Sequence, residues 1–157
     1  MNGKTESLDR SLLDIMNSID HAYEKFAKAT GMSYISMMIL DEIYEHCDGC
    51  TQKEICEAIH YPKQTVNLVV RSFWEDGLVE LREIPSDRRN KTIHLTDKGR
   101  KWADGTVGKL GRIDAEATDV LSSEEQKTLV TLTGRYAEAF MKGVEKAISN
   151  EDAPDLL

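Results

Sequence analysis

Two adjacent arginines, Arg88 and Arg89, are the side chains whose type and spacing best suit binding chemistry. A guanidinium group stays charged at physiological pH and presents a planar set of N–H donors that matches phosphate oxygens. Lys91 lies two residues after Arg89 and adds another positive charge to the same short run. Cationic side chains clustered in this way predict a contact with phosphate groups.

The segments on both sides of the arginines predict a β-hairpin that presents them at its tip. Residues 79–84 read as one strand, and a short alternating run that ends at Leu95 reads as the other. The second strand stops at Thr96, a favourable helix N-cap residue that the acidic Asp97 follows. The tip of the hairpin is therefore expected at residues 85–90.

Two short helices joined by a tight turn are predicted upstream of this hairpin. Thr51 and Glu54 form a capping box, in which both side chains satisfy free backbone N–H groups at the start of a helix. Pro62 fits the first position of a second helix, because its missing N–H costs nothing there. That helix ends near Gly77 and buries one apolar stripe, formed by Val66, Val69, Val70 and Phe73. The pattern is that of a helix-turn-helix whose second helix reads DNA.

The exposed side of the second helix carries polar side chains suited to base edges in the major groove, namely Lys63, Gln64, Thr65, Asn67 and Arg71. Leu68 also faces outward, where it could touch a thymine methyl group. The alternative is an ordinary solvated helix face, which any surface helix has. The arginine-bearing hairpin favours DNA contact, because the two elements together make the plan of a winged helix.

The chain resembles the MarR family of winged-helix transcription regulators. The family's most recognisable stretch is an Asp-x-Arg wing tip followed by Leu-Thr-x-x-Gly, and here it is formed by Asp87, Arg89, Leu95, Thr96 and Gly99. The Gly-Leu-Val sequence of residues 77–79 matches the family's join between helix and wing. The motifs cover about residues 33–100, and the flanking helical patterns extend the resemblance to nearly the whole chain. Leu68 is a departure, since a polar residue is more usual at that position.

The resemblance implies a homodimer that binds double-stranded DNA at a pseudo-palindromic operator, as a repressor released by a small-molecule effector. Arg89 is then expected in the minor groove, with Asp87 restraining its guanidinium through a charge-assisted hydrogen bond. Arg88 is expected to contact a phosphate or to be a second minor-groove probe. The expected fold is mainly α with a small β-hairpin wing, a winged helix-turn-helix flanked by N- and C-terminal dimerisation helices.

The length of 157 residues suits a single domain, over residues 1–157. Within it we expect the winged helix-turn-helix at residues 33–95 and a helical dimerisation region at residues 1–30 and 96–149. One long helix is expected over residues 96–118. Its glycines at positions 105, 108 and 111 share one face, which permits close helix approach or a bend.

Apolar stripes at both ends of the chain support the dimer. The N-terminal stripe consists of Leu8, Leu12, Ile15, Ile19, Ala22 and Phe26. The C-terminal stripe follows a capping box at Ser122–Glu125 and consists of Leu129, Leu132, Tyr136, Ala139, Phe140 and Val144. The helix-turn-helix is too small to bury both stripes, so we expect them to meet a second subunit. Closure of an intramolecular bundle is the alternative.

The charge of the chain is divided unevenly along the sequence. The total is −8, from 20 Lys/Arg and 28 Asp/Glu. Residues 60–100 carry eight Lys/Arg and six Asp/Glu, a net of +2, while the remainder carries twelve and twenty-two, a net of −10. Salt screens exposed charges beyond about 8–10 Å, so only the field near the phosphates must be positive. There is no signal peptide and no membrane-spanning apolar run, so we expect a cytoplasmic location.

Two candidate sensors remain open. Cys47 and Cys50 form a Cys-x-x-Cys, so a redox- or zinc-responsive regulator is the alternative to a ligand-responsive one. Two buried or inert thiols are the simpler interpretation. Tyr34, Met37 and Met38 at the start of the second helix could line an effector site, although core packing explains them equally simply.

The sequence shows none of the motifs that an enzyme of a common class would carry. We find no serine elbow, no metal-ligand helix motif and no nucleotide loop. The segment from Gly105 to Gly111 has the wrong spacing for a phosphate loop. We therefore expect that the protein is not an enzyme and that it has neither a cofactor nor a metal site. The third functional class is a pure interaction module that has lost DNA binding. The two wing arginines argue against it.

Overall fold

The structure is a computed structural model that describes the backbone of residues 3–84 and 87–149 and the side chains of residues 10–84 and 90–149. Its elements in chain order are α1 (Gly3–Ala29), α2 (Tyr34–Glu45), β1 (Cys50–Thr51), α3 (Gln52–Ile59), α4 (Lys63–Glu75), β2 (Val79–Ile84), β3 (Asp87–Leu95), α5 (Asp97–Gly105), α6 (Val107–Asp119) and α7 (Ser123–Ser149). The prediction of a mainly α fold with a small β wing is confirmed. The chain forms two compact units, with the boundary after Gly111 inside α6. The finer division into reading and dimerisation regions stays a prediction.

The wing is part of a three-stranded antiparallel sheet with the order β1-β3-β2. The central strand β3 pairs with β2, so that Ile93 lies opposite Leu81, and with β1, so that Ile93 also lies opposite Cys50. Ile93 is 1% exposed and ties the sheet to the core. The sequence pattern did not predict β1, because a strand of two residues has no periodicity to detect.

The core of the first unit is built around α2. Ser33 caps this helix by accepting a hydrogen bond from the backbone N–H of Ser36 at 3.1 Å. Burial is nearly complete for side chains from α2, α3, α4 and the sheet, including Met37, Ile39, Leu40, Ile43, Ile55, Val66, Val70, Phe73, Val79 and Ile93. These contacts fix the rotation of α4 about its own axis, and therefore which of its side chains face outward.

A polar junction joins the end of α4, the base of the wing and the start of α5. The Thr96 hydroxyl accepts a hydrogen bond from the N–H of Gly99 at 3.0 Å and donates to the carbonyl of Gly77 at 2.8 Å. The Thr96 N–H donates to the carbonyl of Leu78 at 3.0 Å. Any Cβ at position 99 would overlap that same carbonyl. The Leu-Thr-x-x-Gly motif is therefore structural in this chain.

The helix expected over residues 96–118 is in fact two helices, so that prediction is wrong. Thr106 separates α5 from α6 with backbone angles of φ −114° and ψ −91°, outside the helical region. Its hydroxyl donates to the carbonyl of Trp102 at 2.9 Å, which satisfies one acceptor at the end of α5. Of the three glycines, Gly108 makes a close approach, since a Cβ there would lie 2.9 Å from the Tyr44 hydroxyl oxygen.

The terminal helices expose apolar side chains, each within its own unit. On α1 these include Leu13, Ile15, Met16 and Ile19, whereas Leu8 lies outside the residues whose side chains are described. No side chain of α7 is buried, and its exposed apolar set includes Leu129, Leu132, Tyr136, Phe140 and Val144. The predicted capping box before α7 is confirmed, with the N–H of Ser122 donating to the Glu125 carboxylate at 2.8 Å. Across the described residues, no helix combines the length and apolar character needed to cross a bilayer.

We expect Gly99→Ala to lower the free energy of unfolding by about 1–3 kcal/mol, because the new methyl group has no space beside the Leu78 carbonyl. The matched control is Gly111→Ala, also in a helix but with no atom within 4 Å of the added Cβ. That substitution is expected to stabilise the helix by about 0.5–1 kcal/mol. Urea unfolding followed by circular dichroism measures both, and equal effects of the two substitutions would contradict the junction described above.

Candidate nucleic-acid interface

The turn between α3 and α4 is fixed by local interactions. The predicted capping box is confirmed, because the Glu54 carboxylate accepts from the Thr51 N–H at 2.7 Å and the Thr51 hydroxyl accepts from the Glu54 N–H at 3.2 Å. Helix α3 ends at Ile59, and its C-cap residue His60 has a left-handed backbone with φ 55°. Pro62 was expected as the first residue of α4, but the helix begins at Lys63 and Pro62 is its N-cap residue. After this turn, Lys63 and Gln64, the first two residues of α4, are exposed.

The outward side of α4 presents the side chains that the sequence predicted as base-reading residues. Lys63, Gln64, Asn67, Leu68 and Arg71 are exposed, and Thr65 is half-buried. The opposite side buries Val66, Val70 and Phe73, with Val69 half-buried between the two sides. The structure therefore brings this predicted set together on one helix face.

Glu75 is a member of this face that the sequence reasoning missed. The Arg71 Nε donates to the Glu75 carboxylate at 2.8 Å, across one turn of α4. The i,i+4 spacing was the available signal for this pair. The contact holds the guanidinium along the helix and places a negative charge at the C-terminal end of the outward face.

The wing lies next to α4 in sequence and carries the predicted cationic tip. The register of the hairpin pairs Glu83 with Lys91, and a bulge follows between Glu83 and Ile84. Lys91 is exposed. The backbone of Asp87, Arg88 and Arg89 forms the start of β3, but their side chains lie outside the described residues, so their predicted contacts stay predictions.

A cleft of about 530 Å³ lies between α3, the start of α4 and the wing. Three lysines from three different elements line it, Lys53 from α3, Lys63 from α4 and Lys91 from β3. Its apolar lining includes Cys56 and Ile93. The ammonium group of Lys53 lies 3.7 Å from the Glu57 carboxylate, and both side chains are largely exposed. Sequence reasoning missed Lys53 because its place beside Lys63 and Lys91 depends on three separate elements meeting, although the first helix of a helix-turn-helix crosses the DNA backbone.

The two cysteines of the Cys-x-x-Cys differ in exposure. Cys47 is exposed, whereas Cys50 is fully buried in β1. Burial, with the nearby carboxylates of Glu42 and Glu54, raises the pKa of the Cys50 thiol to about 12. A thiol of this kind is protonated at neutral pH and is a poor nucleophile. In the described part of the chain, no group of three His, Cys, Asp or Glu side chains is arranged to hold a metal ion.

The wing strand carries a histidine that stays neutral near pH 7. The imidazole of His94 packs against Gly49, and its Nε2 atom is hydrogen-bonded to the Thr92 hydroxyl at 2.9 Å. Burial and the guanidinium of Arg82 lower the pKa of this imidazole, and the carboxylates of Glu80 and Asp48 oppose them. The base of the wing therefore gains no positive charge from His94 at neutral pH.

The three candidate effector residues lie at the start of α2. Met37 is 2% exposed and belongs to the core, while Tyr34 and Met38 are half-buried. The ring of Tyr34 lies 6.2 Å from the ring of Tyr23 on α1. Their placement is compatible with packing and does not test the ligand hypothesis.

Comparison of the sequence with known proteins gives one consistent family. The MarR family profile matches residues 30–90. The uncharacterized HTH-type transcriptional regulator YdgJ of Bacillus subtilis (strain 168) is 26% identical over 111 residues, which are 71% of this chain and 67% of that protein. The HTH-type transcriptional regulator BilQ of Clostridium symbiosum (strain WAL-14163) is 30% identical over 84 residues, which are 54% of this chain and 58% of that protein.

Solved structures share the fold. A MarR family regulator from Neisseria meningitidis superposes with a TM-score of 0.74 at 24% identity, over 89% of this chain and 97% of that one. MepR of S. aureus in complex with DNA superposes with a TM-score of 0.64 at 22% identity, over 80% of this chain and 95% of that one. The winged-helix fold predicted from the sequence is thereby confirmed.

We expect the stability that Glu54 gives to α3 to depend on pH. Hydrogen bonds from Thr51 lower the pKa of this carboxyl below its ordinary value of 4.5 in the folded protein. The contribution is therefore complete above pH 4.5 and is lost as the pH falls through the folded pKa. In Glu54→Gln the position no longer titrates, so the difference in Tm between wild type and variant should shrink from pH 7 to pH 3.

The control for this measurement is Glu57→Gln, on the same helix but outside the capping box. Its difference in Tm from the wild type is expected to change less between the two pH values. If both variants follow the same pH profile, the capping box is not the source of the effect.

Proposed function

We propose that the chain, whose residues 30–90 match the MarR family profile and whose relatives include HTH-type transcriptional regulators, is a homodimeric repressor of that family that binds double-stranded DNA through α4 and the wing. The family consists of regulators and not of enzymes. The observation that carries the proposal is the joint exposure of polar side chains on α4 and of the three-lysine cleft beside it. The proposal puts the protein in the cytoplasm, together with the DNA that it binds.

The proposed docking mode is the one general to helix-turn-helix proteins, in which the second helix lies in the major groove and the first crosses the DNA backbone. Helix α4 enters the major groove with its outward face, so that Gln64 and Asn67 approach base edges. The N-terminal turn of α3 then lies over the backbone, where Lys53 meets a phosphate. Lys63 and Lys91 continue this positive lining toward the wing. The wing tip follows the family resemblance, with Arg89 in the minor groove and Asp87 as its restraint.

The charge distribution limits binding to this surface. The stretch of residues 60–100 is net +2, whereas the rest of the chain is net −10. Acidic surface repels DNA that approaches elsewhere, so affinity depends on correct docking of the basic face. Contacts between lysine and phosphate also make the affinity fall steeply with salt concentration.

The dimer is supported by the apolar exposure of each terminal helix. On α7 the exposed side chains at positions 129, 132, 136, 140 and 144 follow steps of three and four residues, and so form one stripe. Tyr136 and Phe140 stack within it, with ring centroids 6.2 Å apart. A stripe of this length on a soluble helix favours association with a second copy, which also provides two-fold reading of a pseudo-palindromic operator.

Release by a small-molecule effector is the regulatory part of the proposal. Half-buried Tyr34 and Met38 supply aromatic and polarisable surface at the start of α2, which suits an apolar ligand. The redox- or zinc-responsive alternative would use Cys47 and Cys50. It receives no support from the burial of Cys50.

Lys53→Ala tests the docking mode. The full-length protein is titrated into labelled duplexes at several salt concentrations, with DNA flanking its own gene and a scrambled duplex. We expect the variant to bind both duplexes more weakly and to lower the slope of log K against log salt by about 1, because one phosphate contact is lost. Lys101→Ala, an exposed lysine on α5, is the matched control and should leave the slope unchanged.

Asn67→Ala, measured in the same assay, should relax specificity at about one base pair, with a cost of about 1–3 kcal/mol for the preferred base. Failure of the wild type to bind any duplex at low salt would overturn the proposed function. Wild-type binding with no change in slope for Lys53→Ala would overturn the docking of α3 alone.

Phe140→Glu tests the dimer. The side chain is 61% exposed in the single chain, so the substitution should leave the fold intact. If the stripe is an interface, a buried unpaired carboxylate there will shift the mass measured by light scattering from dimer to monomer. Thr131→Glu, exposed on the other side of α7, is the control and should remain dimeric. A monomeric wild type that still binds DNA would contradict this part of the proposal.

A further inference from the structure

Leu68 occupies the middle of the outward face of α4. It lies two residues from Val66 and two residues from Val70, which are 0% and 1% exposed. Two residues correspond to about 200° of rotation around a helix, so both directions place Leu68 opposite the buried stripe. Its own exposure is 71%. The orientation of the helix is fixed by its buried side, and the outward direction of Leu68 is fixed with it.

The surroundings of Leu68 on this face are polar. Gln64 lies one turn before it, and Arg71 and Ser72 lie one turn after it. Leu68 is not among the side chains that pack on the core. Trp74 is also more than half exposed on α4, but it is about 120° away around the helix. The polar side chains of Gln64 and Arg71 lie between the two around the helix, so Leu68 is an isolated apolar side chain, whereas a protein-docking patch needs several hundred Å² of contiguous apolar surface.

The chemistry of the major groove supplies one apolar partner for such a side chain. The 5-methyl group of thymine is the apolar feature among otherwise polar base edges. A leucine has no donor or acceptor, so against a guanine or cytosine edge it removes water without replacing the lost hydrogen bonds. Against a methyl group it excludes water from two apolar surfaces at once. A leucine at this position therefore strengthens binding to a site with thymine and weakens binding to a site with a G·C pair there.

Resting on the DNA-binding function proposed above, we propose that Leu68 reads the 5-methyl group of a thymine in each half-site of the operator. Gln64 and Asn67, whose amides match adenine, flank it on the same helix. The contact therefore falls within a stretch of A·T pairs. A 5-methylcytosine carries the same methyl group at the same place and is read by the same contact.

Replacement of thymine by deoxyuridine tests this inference, because it removes the methyl group and leaves every hydrogen-bonding group of the base. The probe is a duplex selected from a random-sequence library by the purified full-length protein. Each thymine is replaced in turn, and dissociation constants are measured for the wild type, Leu68→Ala and Leu68→Met. For the wild type we expect a loss of about threefold to fourfold at one position per half-site, the worth of one buried methyl-sized group.

The two variants separate the methyl contact from other causes. In Leu68→Ala the penalty for deoxyuridine at that position should disappear, while Leu68→Met, which keeps an apolar side chain of similar reach, should retain it. Equal penalties in the wild type and in Leu68→Ala, or no penalty at any thymine, would overturn the inference and leave DNA binding intact. If the library yields no bound duplex at low salt, the proposed function itself fails.

Discussion

The position of the wing depends on the junction at Thr96 and Gly99. The strand β2 begins at Val79, directly after Leu78, whose carbonyl receives the Thr96 N–H at 3.0 Å. The Thr96 hydroxyl also holds the first turn of α5 and the carbonyl of Gly77. Thr96 therefore satisfies, through its hydroxyl and its backbone N–H, backbone groups after the end of α4, at the base of the hairpin and at the start of α5. Gly99 lies directly against the Leu78 carbonyl, with no space for even a methyl group between them. A displacement of α5 would therefore displace Leu78 and, with it, the base of the wing.

The residues that hold the fold and the residues proposed to bind DNA are largely different. The junction and the core use buried apolar side chains and backbone hydrogen bonds. The proposed contacts use exposed cations such as Lys53 and Arg71, and exposed ion pairs contribute little to stability. Glu57 and Glu75 next to these cations also weaken the local positive potential. A surface of this kind binds DNA through several moderate contacts, so its affinity stays sensitive to salt.

Sequence reasoning succeeded where the determinants are local. The Thr51–Glu54 capping box, the stripe of α4 and the Thr96 N-cap of α5 are each set by residues within a few positions of one another. It failed at β1, whose two residues form a strand because β3 is available to pair with them. It also failed at Thr106, where glycine spacing suggested one compliant helix, although the backbone breaks there. The lysine cleft needs three separate elements to meet, and no single stretch of sequence contains that information.

The place of Cys50 in the sheet bears on how the protein could respond to its environment. Its thiol is buried in β1, an edge strand that pairs with β3 through only two residues. Oxidation requires a thiolate and access for the oxidant, and burial disfavours both. The strand would first have to separate from β3, which carries the wing tip. A response through Cys50 would thus depend on local opening of the sheet, and the cost of that opening argues against a redox-responsive regulator.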